Sequence, residues 1–453
     1  MGLDRRQMLK ISALTSAVPA VALATPSAAA PMSTLGIDAM QLGVRAGGTI
    51  EQTVALQNAI DQTAGARVPL VLGPGEYRAG ELKLPTGAQI VGVRGATRLV
   101  FEGGAGLISA RGADHVTLSG LMLDGKGKTL PEDRGLLQLS WGSDVRIIDC
   151  EIVNAGGNGI VLEEVEGVVS GTSVSGAAEM GIVSRSARGL AIQNNNVCNT
   201  GNGGVLIMRA KKGDDGTLVL DNRIEDIAAK RGGAGEFGNA IRVVNADNVT
   251  VRGNRINRAA FSGVRGNAAS NLQIISNNVN DVGDVALYSE SGFEGTVIAN
   301  NTVVGAALGV AVVNFSEGGR LAVVQGNLIR NLTRKRAAGT GPNDGSGIGI
   351  TVEADAAVTG NVIENAPDTG IKLGWGQYLR DVSVTGNVVR TVGYGISASV
   401  STGAGQVVIA GNMIAEAARA AVVGMDFAQI LPDDLSKDST RYAHLTIRGN
   451  KVR

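Results

Sequence analysis

The stretch from Val249 to Val279, VTVRGNRINRAAFSGVRGNAASNLQIISNNV, contains a phrase that recurs from about residue 145 to the end of the sequence. Two apolar residues alternate with polar ones, Gly-Asn follows, and another apolar residue stands two places after the Asn. A short polar turn then leads to a Gly-Val pair. Alternation with a period of two predicts β-strands with one buried face, because successive strand side chains point to opposite sides.

The Asn of this phrase marks a repeat with a spacing of 23 or 24 residues in its tightest copies. The copies align at Asn195, Asn222, Asn254, Asn277, Asn301, Asn327, Asn361, Asn387, Asn412 and Asn450, and Cys150 and Thr172 hold the same slot in two looser copies. Such a period indicates a solenoid whose coils bury a continuous core by stacking. Three short strands per copy predict one coil of a parallel β-helix, and the variable turns favour the right-handed form.

The Asn column itself is expected to be structural. Asn tolerates the left-handed backbone that a sharp turn needs. Stacked Asn side chains can also hydrogen-bond from one coil to the next.

One helix is predicted, from Thr49 to Ala64, with a capping-box spacing between Thr49 and Gln52. Its apolar face, at helical spacing, consists of Leu56, Ala59, Ile60 and Thr63. The open end of a β-helix exposes unpaired backbone and must be covered. We therefore predict an N-terminal cap region over residues 34–66, followed by a single all-β solenoid, a right-handed parallel β-helix of about 15 coils, over residues 67–453.

Residues 1–29 are predicted to be an export signal. The run Arg5-Arg6-Gln7-Met8-Leu9-Lys10 resembles a twin-arginine signal, and an apolar region follows it. Small residues permit cleavage after Ala24 or after Ala29. This signal implies export of a folded protein by the bacterial twin-arginine translocation machinery, so the expected location is periplasmic or secreted.

Composition argues against several other classes of function. The 41 basic and 41 acidic residues balance, which disfavours nucleic acid as the main partner. No run of 18 apolar residues follows residue 30, so no membrane span is expected. Cys150 and Cys198 fall about two coils apart in different slots, too far for a disulfide. His115 and His444 are distant in the sequence, and we expect neither a metal site nor another cofactor.

The predicted helix, the segment from Pro69 to Tyr77 and the Gly-Asn repeats together resemble the pectate-lyase-like superfamily. With the signal, the whole chain resembles a family of twin-arginine-translocated repeat proteins of uncharacterised function. The superfamily resemblance implies a right-handed parallel β-helix and action on polysaccharides along a groove. The Gly-His-Gly motif of polygalacturonases, the Asp-Pro-His type motif of mannuronan epimerases and the Trp-x-Asp-His motif of pectate lyases are absent, and Ile50-Glu51-Gln52 replaces the usual aspartates. The resemblance thus implies the fold and leaves the chemistry open.

Two expanded turns at one corner, within residues 224–240 and 329–348, predict two walls around a floor of short-turned coils. Alternation turns one residue of each floor strand outward; those residues are predicted to be Arg242, Arg265, Leu287, Ala311, Gly349 and Lys372. Just beyond them come Asn245, Asn267, Glu290, Asn314, Glu353 and Trp375, and the walls add Lys230, Arg231 and Arg334 to Arg336. Exposed cations in such slots are expected to contribute little to stability, within about 0.5 kcal/mol.

A row of cations over a groove favours an acidic polysaccharide as ligand. As a lyase, the protein would use Lys372 as the base if its pKa is lowered, with Arg265 a weaker candidate. Glu290 is the third catalytic candidate, since a hydrolase needs two facing carboxylates. Glu290 and Glu353 are the only plausible pair on the floor, and the repeat spacing places them too many coils apart. The predicted substrate-binding residues are Arg242, Asn267, Asn314, Glu353, Trp375, Lys230, Arg231 and Arg334. An epimerase, a non-catalytic glycan-binding rod and a cell-envelope scaffold remain alternatives, since the missing motifs and scarce His favour the last two.

Overall fold

The structure, a computed structural model, describes residues 36–233, 235–341, 345–438 and 440–453. The predicted signal peptide lies outside these residues and stays a prediction. The described chain is a parallel β-helix with three series of strands, one on each face of the coil. No helix among the described residues is long and apolar enough to span a membrane.

Face 1 is a sheet of 16 strands, one from each successive coil. Neighbouring strands are parallel throughout, as in the pairing of Val251 with Ile274. The strands are Ile37–Asp38, Leu70–Val71, Gln89–Val91, Thr117–Ser119, Val145–Ile148, Gly167–Ser170, Leu190–Gln193, Leu218–Leu220, Thr250–Arg252, Leu272–Ile275, Glu294–Ala299, Arg320–Gln325, Ala354–Thr359, Arg380–Thr385, Val407–Ala410 and Leu445–Arg448.

Face 2 follows face 1 in each coil, after the corner that carries the repeated Asn. Its strands are Gly75–Ala79, Thr97–Phe101, Met122–Asp124, Glu151–Val153, Ser173–Ser175, Asn196–Thr200, Arg223–Ile227, Arg255–Ala259, Asn278–Asn280, Thr302–Val304, Leu328–Arg330 and, in the last coil, Lys451–Val452.

Face 3 completes each coil. Its strands are Leu82–Lys83, Ile108–Arg111, Gly135–Ser140, Asn158–Glu163, Met180–Arg185, Gly203–Asp214, Asn239–Asp247, Val264–Asn267, Val285–Glu290, Leu308–Val312 and Ile348–Val352. In three later coils a single long strand spans both face 2 and face 3; these strands are Val362–Leu373, Val388–Ser399 and Met413–Asp426. The last of them also pairs with Gln429–Asp434 in an antiparallel hairpin.

The core is a set of apolar stacks inside the coils, as the repeat predicts. Val251, Ile256, Val264 and Ile274 are all fully buried, so the strand register predicted for Val249 to Val279 is confirmed. Each of these side chains packs on its counterpart one coil away, and burial of such stacks supplies the main stabilising free energy.

The repeated Asn residues form one continuous buried ladder. In each step from Asn195 to Asn450, the Oδ1 of one Asn accepts hydrogen bonds from the backbone N–H and the Nδ2 of the preceding Asn, at 2.8–3.1 Å. Each Nδ2 also donates to a face 1 carbonyl, for example Asn277 to Val251 at 3.0 Å. Thr172 extends the ladder, since its N–H donates to Asn195 at 2.9 Å. The ladder satisfies polar groups that stacking would otherwise bury unpaired.

The left-handed backbone at this corner belongs to the residue before each ladder Asn. Asn194, Asp221 and Ser276 have positive φ, as do glycines such as Gly253 and Gly326, whereas no ladder Asn does. The predicted conformational role of the ladder Asn is therefore wrong, and its hydrogen-bonding role is confirmed. The two functions separate because the ladder amide must point inward, while the sharp turn falls one residue earlier.

The capping helix runs from Thr53 to Ala66, so the predicted start at Thr49 is wrong. The expected capping box does not form, because the Gln52 amide bonds with the backbone of Arg45 instead. Glu51 Oε1 accepts the N–H of Thr53 at 2.8 Å. The predicted apolar face is buried, and the helix packs on early strands of all three faces, among them Leu70–Val71, Gly75–Ala79 and Leu82–Lys83. Cys150 and Cys198 are both free thiols.

Candidate functional site

Face 3 carries one column of outward residues that runs along the solenoid. Strand pairing aligns Arg242 with Arg265, Arg265 with Tyr288, and Tyr288 with Ala311. It then aligns Ala311 with Thr351, and Thr351 with Lys372. Arg242 and Lys372 are therefore five coils apart, roughly 24 Å at one strand spacing per coil.

Two residues predicted in this outward row are misplaced. Leu287 is fully buried, and Tyr288 takes the outward place. Four consecutive apolar or aromatic residues, from Val285 to Tyr288, leave no alternation by which the inward side chains can be told from sequence. Gly349 lies within the strand Ile348–Val352, and a Cβ there would meet the Ile363 side chain. Thr351 is the outward residue, because Ile350 and Val352, not Ile348 and Ile350, form the inward pair.

Arg265 is held in a shielded ion pair. Its Nε lies 2.6 Å from Oε1 of Glu290, and the two side chains are 14% and 9% exposed. Its Nη1 donates to the Gly235 carbonyl at 2.7 Å, and its guanidinium lies 5.2 Å from the Tyr288 ring centroid. Burial alone would lower the pKa of Arg265, but the Glu290 carboxylate outweighs burial and raises that pKa. Arg265 therefore stays a cation, which does not suit it to act as a base.

Arg242 has a different environment one coil away. Its Nη1 donates to the Glu236 carbonyl oxygen at 2.9 Å, and we find no carboxylate within 4.0 Å of its guanidinium among the described residues. Burial, and next the charge of Arg265, lower the pKa of Arg242, and the charges of Glu236 and Glu290 offset part of this shift. An arginine is still protonated after such a shift. The site thus holds a half-buried cation whose neighbour repels it, a setting that an incoming anion would stabilise.

Tyr288 and Asn267 complete this end of the site. Asn267 Nδ2 donates to the same Glu290 oxygen at 3.0 Å. Burial raises the pKa of Tyr288, and the adjacent Glu290 raises it further. Tyr288 therefore keeps its proton at neutral pH and can act as a hydrogen-bond donor.

Lys372 and Glu353 form the other end. The Lys372 ammonium lies 4.6 Å from the Trp375 ring centroid, and burial lowers its pKa. Burial also raises the pKa of Glu353, although the backbone N–H of Phe315 donates to this carboxylate at 2.7 Å. The Trp375 ring stands edge-on to Phe427, with ring centroids 5.7 Å apart. A partly buried ammonium group and an aromatic surface thus adjoin each other here.

The two expanded turns do not stand as separate walls. The Gly233 carbonyl oxygen lies 2.5 Å from the place a Cβ would take on Gly339, so the turns touch. Arg336 forms an ion pair with Asp284 at 2.5 Å, which ties the second turn to a coil between them. At this edge of the predicted floor, the side chains of Val285, Ala307, Leu308, Ala311 and Ile348 form a second buried apolar cluster. The predicted open floor is therefore wrong at this edge, because the longer turn folds back over it.

The predicted wall cations are largely occupied within the protein. Arg231 pairs with Glu179 at 2.9 Å, and Arg334 lies 3.6 Å from Asp368. Lys230 packs its stem near Gly201. Asn314 precedes the short 3-10 helix Phe315–Glu317, and Asn245 bonds to the Arg209 carbonyl at a long 3.4 Å. These residues flank the outward column but do not form one cluster with it.

A third expanded turn was not predicted from the sequence. Residues 125–134 join the face 2 strand Met122–Asp124 to the face 3 strand Gly135–Ser140, at the same corner as the other two turns. Their ten residues contrast with the four that separate Arg255–Ala259 from Val264–Asn267. The looser repeats before residue 145 hid this turn, since no ladder Asn marks their coils. The signal in the sequence was the length of this turn, which is greater than that of the short turns at the same corner.

Comparison with known proteins supports the same architecture. A family model described as a right-handed β-helix region matches residues 139–329. No curated protein matches the sequence. Pre-mature gene product 12 of bacteriophage phi29 is 15% identical, with a TM-score of 0.54; the match covers 86% of this chain and 55% of that one. This chain thus spans about half the length of the phage protein.

Two carbohydrate-active enzymes are also among the similar solved structures. The catalytic unit of a GH87 α-1,3-glucanase from Streptomyces thermodiastaticus is 15% identical, with a TM-score of 0.49 and coverage of 94% of this chain and 70% of that one. The A-module of a mannuronan C-5 epimerase from Azotobacter vinelandii is 14% identical, with a TM-score of 0.38 and coverage of 92% and 99%. Both TM-scores are below 0.5, so these two similarities carry no argument about this protein. The protein is a right-handed parallel β-helix.

Proposed function

We propose that this protein is an exported carbohydrate-active β-helix whose ligand is an acidic polysaccharide bound at the Arg242 end of the outward column of face 3. The observation that carries the proposal is the half-buried Arg242, which has no ion pair within 4.0 Å in the described chain and is repelled by Arg265. A ligand carboxylate would neutralise this charge through paired N–H donors. Tyr288 and Asn267 would then contact neighbouring sugar hydroxyls.

A test compares Arg242→Ala with Arg255→Ala, an exposed arginine on face 2 of the adjacent coil. Affinities for polygalacturonate, alginate and hyaluronan oligosaccharides are measured at low and high salt. Loss of a sheltered charge-assisted hydrogen bond should weaken binding by about 1.5–3 kcal/mol in Arg242→Ala only. Salt should weaken binding of the wild type. Equal affinities of the two variants for a bound glycan would refute the role of Arg242.

A lyase reaction is the catalytic candidate that a specific observation favours. Burial lowers the pKa of Lys372, and a neutral lysine could take the proton next to a uronate carboxylate. Arg265 and Arg242 lie four and five coils from Lys372, so they would bind carboxylates of other sugar units and not the charge that develops beside Lys372. If the oligosaccharides that bind are also cleaved, the product should absorb ultraviolet light, as an unsaturated uronate does. Lys372→Met should then abolish cleavage while binding persists; binding of every hit without cleavage would favour the glycan-binding rod.

Export by the twin-arginine pathway remains part of this proposal. Changing both Arg5 and Arg6 to Lys should hold the precursor in the cytoplasm, because a receptor recognises the arginine pair itself. Cell fractionation measures this, with normal export of the Lys-Lys form as the result that would remove the pathway.

A further inference from the structure

The outward column of face 3 has a second polar block, N-terminal to Arg242. Strand pairing aligns Lys83 with Ser109, and Ser109 with Gln138. It then continues through Val161, Val183 and Leu206 to Arg242. Gln138 therefore lies four coils from Arg242, roughly 19 Å. Val161 and Val183, between them, are fully buried, so the two polar blocks are separate surfaces.

This second block lines a cleft of about 510 Å³. Its polar lining includes Lys83, Arg111, Arg134, Gln138, Ser140 and Glu163. The extra turn of residues 125–134 forms one side, and it is anchored to the coils below. Thr129 pairs with Gly156 in an isolated β-bridge, and Asp133 lies 3.5 Å from Arg185. One side of the cleft is thus formed by a turn, residues 125–134, that is held in place by contacts with neighbouring coils.

Two of the lining side chains are polar and more than nine-tenths buried. Gln138 is 8% exposed and Ser140 is 7% exposed. The Oε1 of Gln138 accepts the Gly135 N–H at a long 3.4 Å, and the structure gives no hydrogen bond to its Nε2 within the described chain. Ser140 Oγ is 3.4 Å from Glu163. Buried polar groups normally have closer partners, so these side chains are placed to receive a ligand.

The charges around the cleft favour an anion. Arg111 lies with its guanidinium carbon 3.7 Å from the Trp141 ring centroid, which fixes its plane and leaves its N–H edge available. Arg134 reaches only 3.9 Å from Glu81, and Glu81 already accepts a hydrogen bond from Ser109 at 2.8 Å. Stacked guanidinium groups bind carboxylates through paired N–H donors.

We propose that this cleft binds one acidic sugar unit, a uronic acid. Its carboxylate would contact Arg111 and Arg134, and its hydroxyls would contact Gln138, Ser140 and Glu163. Carboxylate and hydroxyl groups on one small ring match the mixture of cations, neutral polar groups and one carboxylate in a cavity of this size. The proposal does not depend on Arg242, Arg265 or Lys372.

The test uses titration calorimetry of the purified protein with D-glucuronate, D-galacturonate and D-mannuronate. D-glucose, which has the hydroxyls without the carboxylate, and acetate, which has the carboxylate without the hydroxyls, are the controls. At least one uronate should bind saturably, at least ten-fold more tightly than glucose or acetate. Arg134→Gln and Gln138→Leu should each weaken that binding at least ten-fold. Arg188→Gln, an exposed arginine outside the cleft, should leave it unchanged.

Three results would overturn the proposal. These are no saturable binding of any uronate by the folded wild type, equal binding of glucose, and unchanged affinity in both cleft variants. Circular dichroism and melting curves establish that each variant is folded. The function proposed for the block around Arg242 is tested separately, by the glycan affinity of Arg242→Ala. A negative result for the cleft therefore leaves that function intact, and a negative result for Arg242 leaves the cleft proposal intact.

Discussion

Two columns of side chains run along this solenoid, and they follow opposite rules. The ladder at the corner between faces 1 and 2 repeats Asn in ten coils, with the same hydrogen bonds at every step. The outward column of face 3 changes residue from coil to coil, from Lys83 through Val183 to Arg242 and Lys372. A residue that repeats in every coil meets a structural requirement that all coils share. A position that varies from coil to coil has no such requirement, so a charged residue there is a better indicator of function.

The sharpest test of this contrast is a neighbouring pair in one coil, Asn277→Leu and Asn278→Leu. The first removes two bonds donated by Nδ2 and two accepted by Oδ1 in the buried ladder. It should lower the free energy of unfolding by about 3–6 kcal/mol, since buried partners are left unsatisfied. Asn278 is exposed, and its variant should change stability by no more than about 0.5 kcal/mol. Urea denaturation followed by circular dichroism measures both, and equal losses would show that the ladder is not special.

Arg265 is an exception to this contrast. It lies at a position that varies from coil to coil, yet we expect it to contribute to stability. Its ion pair with Glu290 is shielded from solvent, so the small effect expected from sequence is revised. Arg265→Ala should lower the free energy of unfolding by about 2–4 kcal/mol, because it leaves a buried carboxylate unpaired. Arg242→Ala should have a much smaller effect on the melting temperature. Adding Glu290→Gln to Arg265→Ala should recover part of the loss; no recovery would mean that the pair is not the cause.

Thr172→Asn tests the ladder from the opposite direction. Thr172 already donates its N–H to Asn195 but supplies no amide of its own. An amide in this slot could also bond to Asn195 and to the Ile147 carbonyl, by analogy with the bond from Asn195 to Val169. The gain should be about 0.5–1.5 kcal/mol. Chemical denaturation checks it, and a loss of stability would mean that the early coils cannot accommodate the ladder.

Lys372→Met gives the smallest expected effect, and its sign depends on pH. Burial lowers the pKa of Lys372 in the folded protein, although Asp368 and Glu353 act in the opposite direction. The folded state therefore binds fewer protons than the unfolded state between the two pKa values, and wild-type stability rises with pH there. At neutral pH the variant should be more stable by on the order of 1 kcal/mol or less.

The difference for Lys372→Met should shrink as the pH rises toward the ordinary lysine pKa. Unfolding at a series of pH values from 7 to 10.5 measures the trend. A difference that is independent of pH would show that Lys372 titrates normally in the folded protein.

The sequence by itself determined the coil. Period-two alternation around a repeated Asn could be recognised locally, because every coil buries the same side chains against the same neighbours. It also placed Arg242, Arg265 and Lys372 outward on face 3, as the strand pairing does. Where four apolar or aromatic residues run together, from Val285 to Tyr288, alternation lost its information and Leu287 was assigned to the wrong side.

Only the tertiary structure decided what the outward charges do. Arg242 and Arg265 occupy equivalent places in adjacent coils, yet Arg265 is paired with the Glu290 carboxylate, whereas Arg242 donates a hydrogen bond to the Glu236 backbone oxygen. The path of each expanded turn was likewise invisible, since Gly233 and Gly339 are far apart in sequence but touch. Ion pairing and turn packing depend on distances between coils. A repeat pattern specifies the spacing of coils but not where their long side chains and loops come to rest.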